Sequence, residues 1–278
     1  MMQAPSVTLV LAGTGKTGSR VAGKLAKRGL DVRTAARNGA DVVFDWDAAT
    51  THPPALRGID RLYLVAPVMR MDFADQVATF LDLAQAGGVR HVTYLSAYGI
   101  EQVPPQIALR AVELDLGGRG LITHCILRPA WFMQNFSETF LKPVDDVITV
   151  PTADGAEAFI DAEDIAEVAA ETLADPDAHA GAAYALTGSE AMTMSQAAAV
   201  IASVTGKAVR HNDIDPELWI QGAVATGVPA EYAEMLRMLT RTIASGMGSR
   251  PNDNVEKITG APPTSFVEFA RRTAKAWI

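Results

Sequence analysis

The sequence predicts an α/β fold: a doubly wound parallel sheet followed by a smaller, mostly helical C-terminal lobe. Three observations predict it. Short, wholly apolar runs alternate with amphipathic stretches through the first half of the chain, the pattern of βαβ units whose strands are buried on both faces. The first of those runs ends in a glycine cluster at residues 12–18. In the second half, helical spacing and helix caps largely replace the strand-like runs.

The elements follow in order. Residues 7–11 read as the first strand, and 19–28 as a helix with Val21 and Leu25 four apart and Gly29 as its stop. Strands are expected at 30–36, 41–44 and 61–66, the last closed by Pro67. Phe73, Val77, Leu81 and Ala84 mark one face of a helix ending at Gly87-Gly88. A fifth strand at 91–95, a helix at 107–116 and a sixth strand at 122–127 complete the first half. Asp161 and Asp164 open a helix containing Ile165, Val168, Ala169 and Leu173 that Pro176 ends, with capping as the expected role of these acids, and 184–186 is a further short strand. Thr193-x-x-Gln196 and Ser265-x-x-Glu268 are capping boxes, and 216–245 reads as one or two amphipathic helices.

Composition removes several classes of function. The chain has 278 residues, 49% hydrophobic and 20% charged, with a net charge of −8. No basic excess is available to neutralise phosphates, so neither nucleic acid nor an anionic membrane is an expected partner. Cys125 is the single cysteine and lies in an apolar run, so a buried thiol and a reducing, cytoplasmic setting are expected. The first residues lack a basic stretch followed by an apolar one, so no signal peptide is expected. No apolar run approaches the ~20 residues that span a bilayer. The five histidines are scattered without ligand spacing, and no metal site is expected.

The glycine cluster carries the most chemistry. Gly13, Gly15 and Gly18 have the spacing G-x-G-x-x-G between a strand and a helix. That context is what a Rossmann dinucleotide site requires: a tight turn, close approach of backbone to pyrophosphate, and a helix N-terminus whose amides face the phosphates. Thr14, Lys16 and Thr17 belong to the same loop. Gly15-Lys16-Thr17 also resembles the end of a P-loop, but the glycine needed five residues earlier is Val10, and that reading fails. At the end of the second strand, residues 32–40 contain no acid to bond a ribose, but do contain Arg33 and Arg37. Arg37 is placed to grip a 2′-phosphate, which favours NADP(H) over NAD(H); the alternative is a solvated surface arginine. Asp45 is either an acceptor for the adenine amino group or a turn residue. Ala66, closing the fourth strand, is a further position at the cofactor. The expected division is a dinucleotide-binding domain over 1–155, with 156–190 returning to the sheet, and a substrate lobe over 191–278.

These motifs, together with Arg37-Asn38, residues 91–96, Ile126-Leu127-Arg128-Pro129, Trp131-Phe132-Met133-Gln134-Asn135, Phe159-Ile160-Asp161 with Asp164-Ile165-Ala166, Tyr184-Ala185-Leu186-Thr187-Gly188 and Gly260-Ala261-Pro262-Pro263, resemble the NmrA-like branch of the atypical short-chain dehydrogenases/reductases. One departure is Ala12, where the family's loop has its first glycine. The resemblance implies a Rossmann core with a substrate cleft, in either an NADPH-dependent reductase of quinones, dyes or iminium compounds, most like the ergot-alkaloid type, or a non-catalytic sensor of the dinucleotide.

The wider superfamily's proton relay is Tyr-x-x-x-Lys, and no tyrosine here has a lysine four residues on. Where similar reductases carry a lysine, this chain offers Arg110, which orients or stabilises an anion but donates no proton at neutral pH. Ser96 and Tyr98 end the fifth strand at the sheet's carboxyl edge, where such sheets bind ligands. Tyr98 is therefore a candidate weak acid or substrate contact, or else a structural loop tyrosine. Pro129 is a candidate backbone contact to the nicotinamide, and Trp131, Phe132 and Asn135 are candidates to wall the substrate pocket. Met235, Met238 and Met247 either line that pocket or belong to the core. An epimerase on the same fold is disfavoured by the missing tyrosine–lysine pair. The expected partner is a small molecule, and the chain is expected to be a monomer or homodimer.

Overall fold

A computed structural model describes residues 6–278. The elements run β1 (Val7–Leu11), α1 (Gly18–Lys27), β2 (Asp31–Ala36), β3 (Val42–Val43), α2 (His52–Leu56), β4 (Arg61–Val65), α3 (Ala74–Ala86), β5 (His91–Leu95), α4 (Ala108–Gly118) and β6 (Thr123–Pro129). They continue with α5 (Asn135–Glu138), β7 (Val147–Thr149), β8 (Ala156–Glu157), α6 (Ala162–Ala174), β9 (Ala182–Leu186), β10 (Met192–Thr193) and α7 (Met194–Thr205). The last are β11 (Arg210–Asn212), α8 (Pro216–Ala225), α9 (Ala230–Ala244), α10 (Asn254–Thr259) and α11 (Phe266–Thr273). The main sheet has the order β3-β2-β1-β4-β5-β6-β9, and the pairings from β3 through β6 are parallel. The chain winds outward from β1 to β3, then returns to the other side of β1. This is the doubly wound Rossmann order, with its topological switch between β1 and β4.

The chain divides into two compact units. Unit one holds the described residues through Pro129 together with Ala162–Ala185; unit two holds Ala130–Asp161 and Leu186–Ile278. The division therefore interleaves, whereas the sequence suggests single boundaries near 155 and 190. Packing explains it. Phe136, Leu141, Ile148, Val150 and Phe159 join a core with Phe266, Phe269 and Trp277 in unit two. Residues 162–174 instead form α6, which packs on α1 in unit one. Their contact carries a ladder of opposite charges at four-residue intervals: Arg20 to Glu163 (3.0 Å), Lys24 to Glu163 (3.3 Å) and Glu167 (2.8 Å), and Arg28 to Glu167 and Glu171. Being partly exposed, each pair contributes only tenths of a kcal/mol to roughly 1 kcal/mol, but the alternation fixes which faces of the two helices meet.

Unit one is otherwise built as its periodicity demands, with Leu9, Leu62, Leu64, Val77, Phe80 and Val92 fully buried in one core. Its polar interior is bonded as well: His91 reaches Thr123 and Thr93, and Thr93 reaches Thr172 on α6. Cys125 is buried and burial pushes its thiol up to about 12, so it is unreactive at neutral pH. In unit two both capping boxes form, at Thr193 and at Ser265, and 216–245 resolves into α8 and α9. Met238 and Met247 are exposed, so neither belongs to that unit's core. Helices α2, α5 and α10 are too short to leave a periodic trace in sequence. Among the described residues no helix is long and apolar enough to cross a membrane.

Candidate dinucleotide and substrate site

The glycine loop joins β1 to α1, and each glycine answers a steric demand. A Cβ on Gly13 would sit 2.7 Å from Thr34 Cβ on β2, and one on Gly18 would overlap the Ala12 carbonyl. Gly18 thus lets α1 seat directly against the end of β1. The turn is closed by the Gly15 N–H donating to Ala12 O at 2.8 Å. Ala12 takes φ +51°, a left-handed conformation that costs a non-glycine residue about 1–2 kcal/mol. Ala12 thus holds the turn in a conformation that glycine adopts without strain.

Around this loop lie the strand ends. The Gly13 N–H donates to Ala35 O, which binds the loop to β2. Arg37, just past β2, is exposed and has no hydrogen-bond or ion-pair partner among the described residues. Two residues on, the Cβ position of Gly39 is 3.6 Å from Thr14 Cγ2, so this turn runs alongside the glycine loop. Arg33, the other candidate in that stretch, is committed elsewhere: its guanidinium donates to the carbonyls of Ala55 (3.3 Å) and Arg57 (2.6 Å). The nearest acid, Asp41, is also committed, accepting from the Thr34 N–H (2.8 Å) and hydroxyl (2.7 Å). Those bonds hold its carboxyl below the usual carboxylate range. Asp45 accepts from the Asp47 N–H at 3.1 Å and takes His52 on its own carbonyl at 3.0 Å, which makes it a turn residue with part of its carboxylate uncommitted.

At the carboxyl ends of the middle strands, Ala66 follows β4, Ser96 follows β5, and Pro129 ends β6. The Ser96 N–H donates to Leu127 O (2.8 Å) and the Tyr98 N–H to Pro129 O (3.0 Å), so pairing continues past β5 and brings Ser96, Tyr98 and Pro129 to one edge. Ser96 is buried and its hydroxyl donates to Glu113 at 2.7 Å. Glu113 also receives Arg110 (2.8 Å) and both arms of Arg128 (2.9 and 2.8 Å). Burial alone pushes this carboxyl up; the bonds from Arg128, Ser96 and Arg110 outweigh it and hold it down. Arg110 is thus anchored through Glu113, a role its sequence position did not disclose.

Unit two contains the remaining candidates. Trp131 is half-buried, its ring meeting Phe140 edge-on at 5.6 Å, and Phe140 in turn meeting Trp219 at 6.3 Å. The Trp131 carbonyl accepts from Ile160 N–H, and Phe132 bridges to Ile160, which ties this segment to residues 156–161. Asn135 opens α5 and its side chain accepts from Thr139 at 3.1 Å. Asp161 is buried and accepts from Gln134 (2.8 Å) and Arg272, so its carboxylate joins α5 to α11. The sequence reading missed Glu157, a buried carboxylate beside the Trp131 backbone. The available signal was an acid standing inside the apolar run 156–160.

The NmrA-like family model matches residues 5–269 of the chain. The Bacillus subtilis protein "Uncharacterized oxidoreductase YesF" is 36% identical, over 97% of this chain and 96% of its own length. Festuclavine synthase II of Penicillium roqueforti is 31% identical over 97% of this chain and 99% of its own. Among solved structures, the NADPH-dependent quinone oxidoreductase QOR2 of Escherichia coli, complexed with NADPH, superposes with a TM-score of 0.79 at 22% identity, over 96% of this chain and 99% of that one. The chain belongs to the NmrA-like family.

Proposed function

We propose that this chain is an NADPH-dependent reductase that passes hydride to a small, flat or unsaturated organic substrate of quinone, azo, iminium or enone type, acting in the cytoplasm as a monomer or homodimer. The observation that carries this reading is the conjunction at the end of β1. A glycine loop with no room for side chains at Gly13 or Gly18 lies beside an exposed arginine, Arg37, that has no partner among the described residues. A tight glycine turn that seats the N-terminus of α1 at the end of β1, next to an uncommitted guanidinium, fits the pyrophosphate and 2′-phosphate of NADP(H) better than NAD(H). The names of the relatives point the same way: an oxidoreductase in Bacillus and an NADPH-dependent quinone reductase in Escherichia.

In this reading the bound dinucleotide supplies the hydride. Residues 13–18 and the N-terminus of α1 hold its pyrophosphate, Arg37 its 2′-phosphate, and Asp45 its adenine. Ala66, Ser96 and Pro129 border the chain of the cofactor along the strand ends. Arg110, steadied by Glu113, and Tyr98 contact the reacting end, and Trp131, Phe132 and Asn135 orient the substrate. Hydride addition to such acceptors is electronically easy, so orientation supplies most of what catalysis requires.

The test is NADPH oxidation by purified protein across quinones, azo dyes, cyclic iminium ions and enones, followed by nicotinamide absorbance. Saturable turnover with one class is the expected result. Tight NADPH binding with no turnover across the panel would overturn the reductase reading in favour of a sensor that reads NADP(H) and docks a partner protein. The missing Tyr-x-x-x-Lys pair is the observation that keeps the sensor in view.

A further inference from the structure

Tyr63 lies in the middle of β4, opposite Val10 of β1, and is fully buried. Its neighbours Leu62 and Leu64 enter the core shared with Val77 and Phe80 of α3. Strand alternation therefore turns Tyr63 to the other face of the sheet, the face that α1 and α6 cover. Among the described residues the Tyr63 hydroxyl makes no hydrogen bond. The polar side chain that faces it is Thr17, whose hydroxyl works against the upward push that burial gives the phenol. A buried hydroxyl without a partner destabilises a fold, and phenylalanine would fill the same space without that cost. Tyr94, the other buried phenol in this state, lies among the α3-side core residues; Tyr63 lies beneath the glycine loop.

Thr17 is the last residue of that loop before α1 and is 5% exposed. Its carbonyl starts the helix, accepting from the Val21 N–H at 2.9 Å, but its hydroxyl caps no amide of the first turn. A threonine in this position ordinarily gives its side-chain oxygen to the second or third amide of the helix, as Thr193 does before α7 and Ser265 does, as a serine, before α11. The start of α1 thus holds two hydroxyls, one deep and one at the surface of the turn, that the secondary structure does not use. A hydroxyl can accept one hydrogen bond while donating another, whereas a phosphate oxygen only accepts. Two hydroxyls in line can therefore pass a donor from the interior out to a phosphate.

We propose that Tyr63 is a positioning residue of the dinucleotide site: its O–H donates to the Thr17 oxygen and so turns the Thr17 proton outward, to a pyrophosphate oxygen. The inference rests on the reading of residues 13–18 as the pyrophosphate site. It explains why a buried phenol is kept where phenylalanine would serve the fold better. Without the phenol behind it, the Thr17 hydroxyl is free to turn its proton to a nearby backbone carbonyl, the common habit of threonine at a helix end. With the phenol in place the Thr17 proton is left for the phosphate, and a donor that itself accepts a hydrogen bond is a stronger donor.

The test measures NADPH and NADH affinity by nicotinamide fluorescence for wild type, Tyr63→Phe, Thr17→Val and the double variant, with the melting temperature of each protein taken without cofactor. Tyr63→Phe is expected to weaken both dinucleotides about 3- to 10-fold, since both carry the pyrophosphate. Thr17→Val is expected to weaken them by about 10- to 100-fold, the loss of a charge-assisted bond. Adding Tyr63→Phe to Thr17→Val is expected to cost nothing further, because the phenol acts through the threonine. Thr17→Ser keeps the hydroxyl, and in that background Tyr63→Phe is expected to cost what it does in wild type. The melting temperature of Tyr63→Phe without cofactor is expected to equal or exceed that of wild type. A lowered melting temperature would show that the hydroxyl serves the fold and would overturn the proposal. Unchanged dinucleotide affinity in Tyr63→Phe, or losses that multiply in the double variant, would overturn it as well. If wild type shows no preference between the dinucleotides while the Tyr63→Phe loss appears, the Arg37 assignment falls and the Tyr63 role stands. If wild type binds neither dinucleotide, the site itself falls and takes the Tyr63 role with it.

Discussion

Glu113 in unit one and Glu157 in unit two are each 3% exposed, yet the chain treats them in opposite ways. Glu113 receives three side chains, two of them arginines, and stays ionised. Glu157 receives one long backbone bond and is pushed up to about 7. Burial is the same in both; what differs is the supply of donors. The contrast teaches that depth alone does not decide a carboxyl's charge, since the same chain satisfies one buried acid fully and leaves the other with little to hold its charge.

The contrast is broken most severely by removing Glu113. Glu113→Ala leaves Arg110 and Arg128 facing a cavity, with Arg128 keeping only Glu101 at 3.4 Å, and breaking a buried pair this way costs about 3–5 kcal/mol. Urea unfolding at neutral pH is expected to show that loss. A change below about 1 kcal/mol would mean that solvent compensates the two arginines and that the cluster is not a structural anchor.

A smaller effect, of opposite sign, is expected at Glu157. Its folded pKa of about 7 lies above the ordinary 4.5, so between those values the native state holds a proton that the unfolded chain has released. Its contribution is fully present below pH 4.5 and is lost as pH rises through about 7. Glu157→Gln, which cannot ionise, is expected to raise stability at about pH 8 by up to about 3 kcal/mol and to change little near pH 5. Glu113 runs the other way, since its lowered pKa gives stability above the unfolded value that acid removes. Denaturant curves at the two pH values check the sign, and equal effects of Glu157→Gln at both would show that its carboxyl is not raised.

Much of unit one was legible in the sequence because its signals are local. Five-residue apolar runs fix the strands, glycine spacing fixes the loop, and the absence of an acid after β2 singles out Arg37. The interior of the same unit was less legible. That Arg33 serves the carbonyls of α2 and its end, while Arg37 pairs with nothing among the described residues, depends on contacts 22 and 24 residues apart in sequence. Arg110 was found, but its anchor was not, because Ser96, Glu113 and Arg128 converge only once β5, α4 and β6 are side by side. In unit two the caps at Thr193 and Ser265 were plain. Its small sheets, with strands of two or three residues, carry no periodicity to read. Nor does spacing reveal that residues 130–161 leave the sheet domain, since the partners of Phe136 and Phe159 lie more than a hundred residues on, at Phe266.

The claim on which the rest depends is that the loop beyond β1 and Arg37 form an NADPH site. Titration of wild type and Arg37→Ala with NADPH and with NADH, followed by nicotinamide fluorescence, tests it directly. Wild type is expected to favour NADPH, and Arg37→Ala to weaken NADPH by about 10- to 100-fold, the loss of a charge-assisted contact, while NADH binding stays the same. Equal affinity for the two dinucleotides in wild type, or selectivity unchanged in Arg37→Ala, would contradict the account.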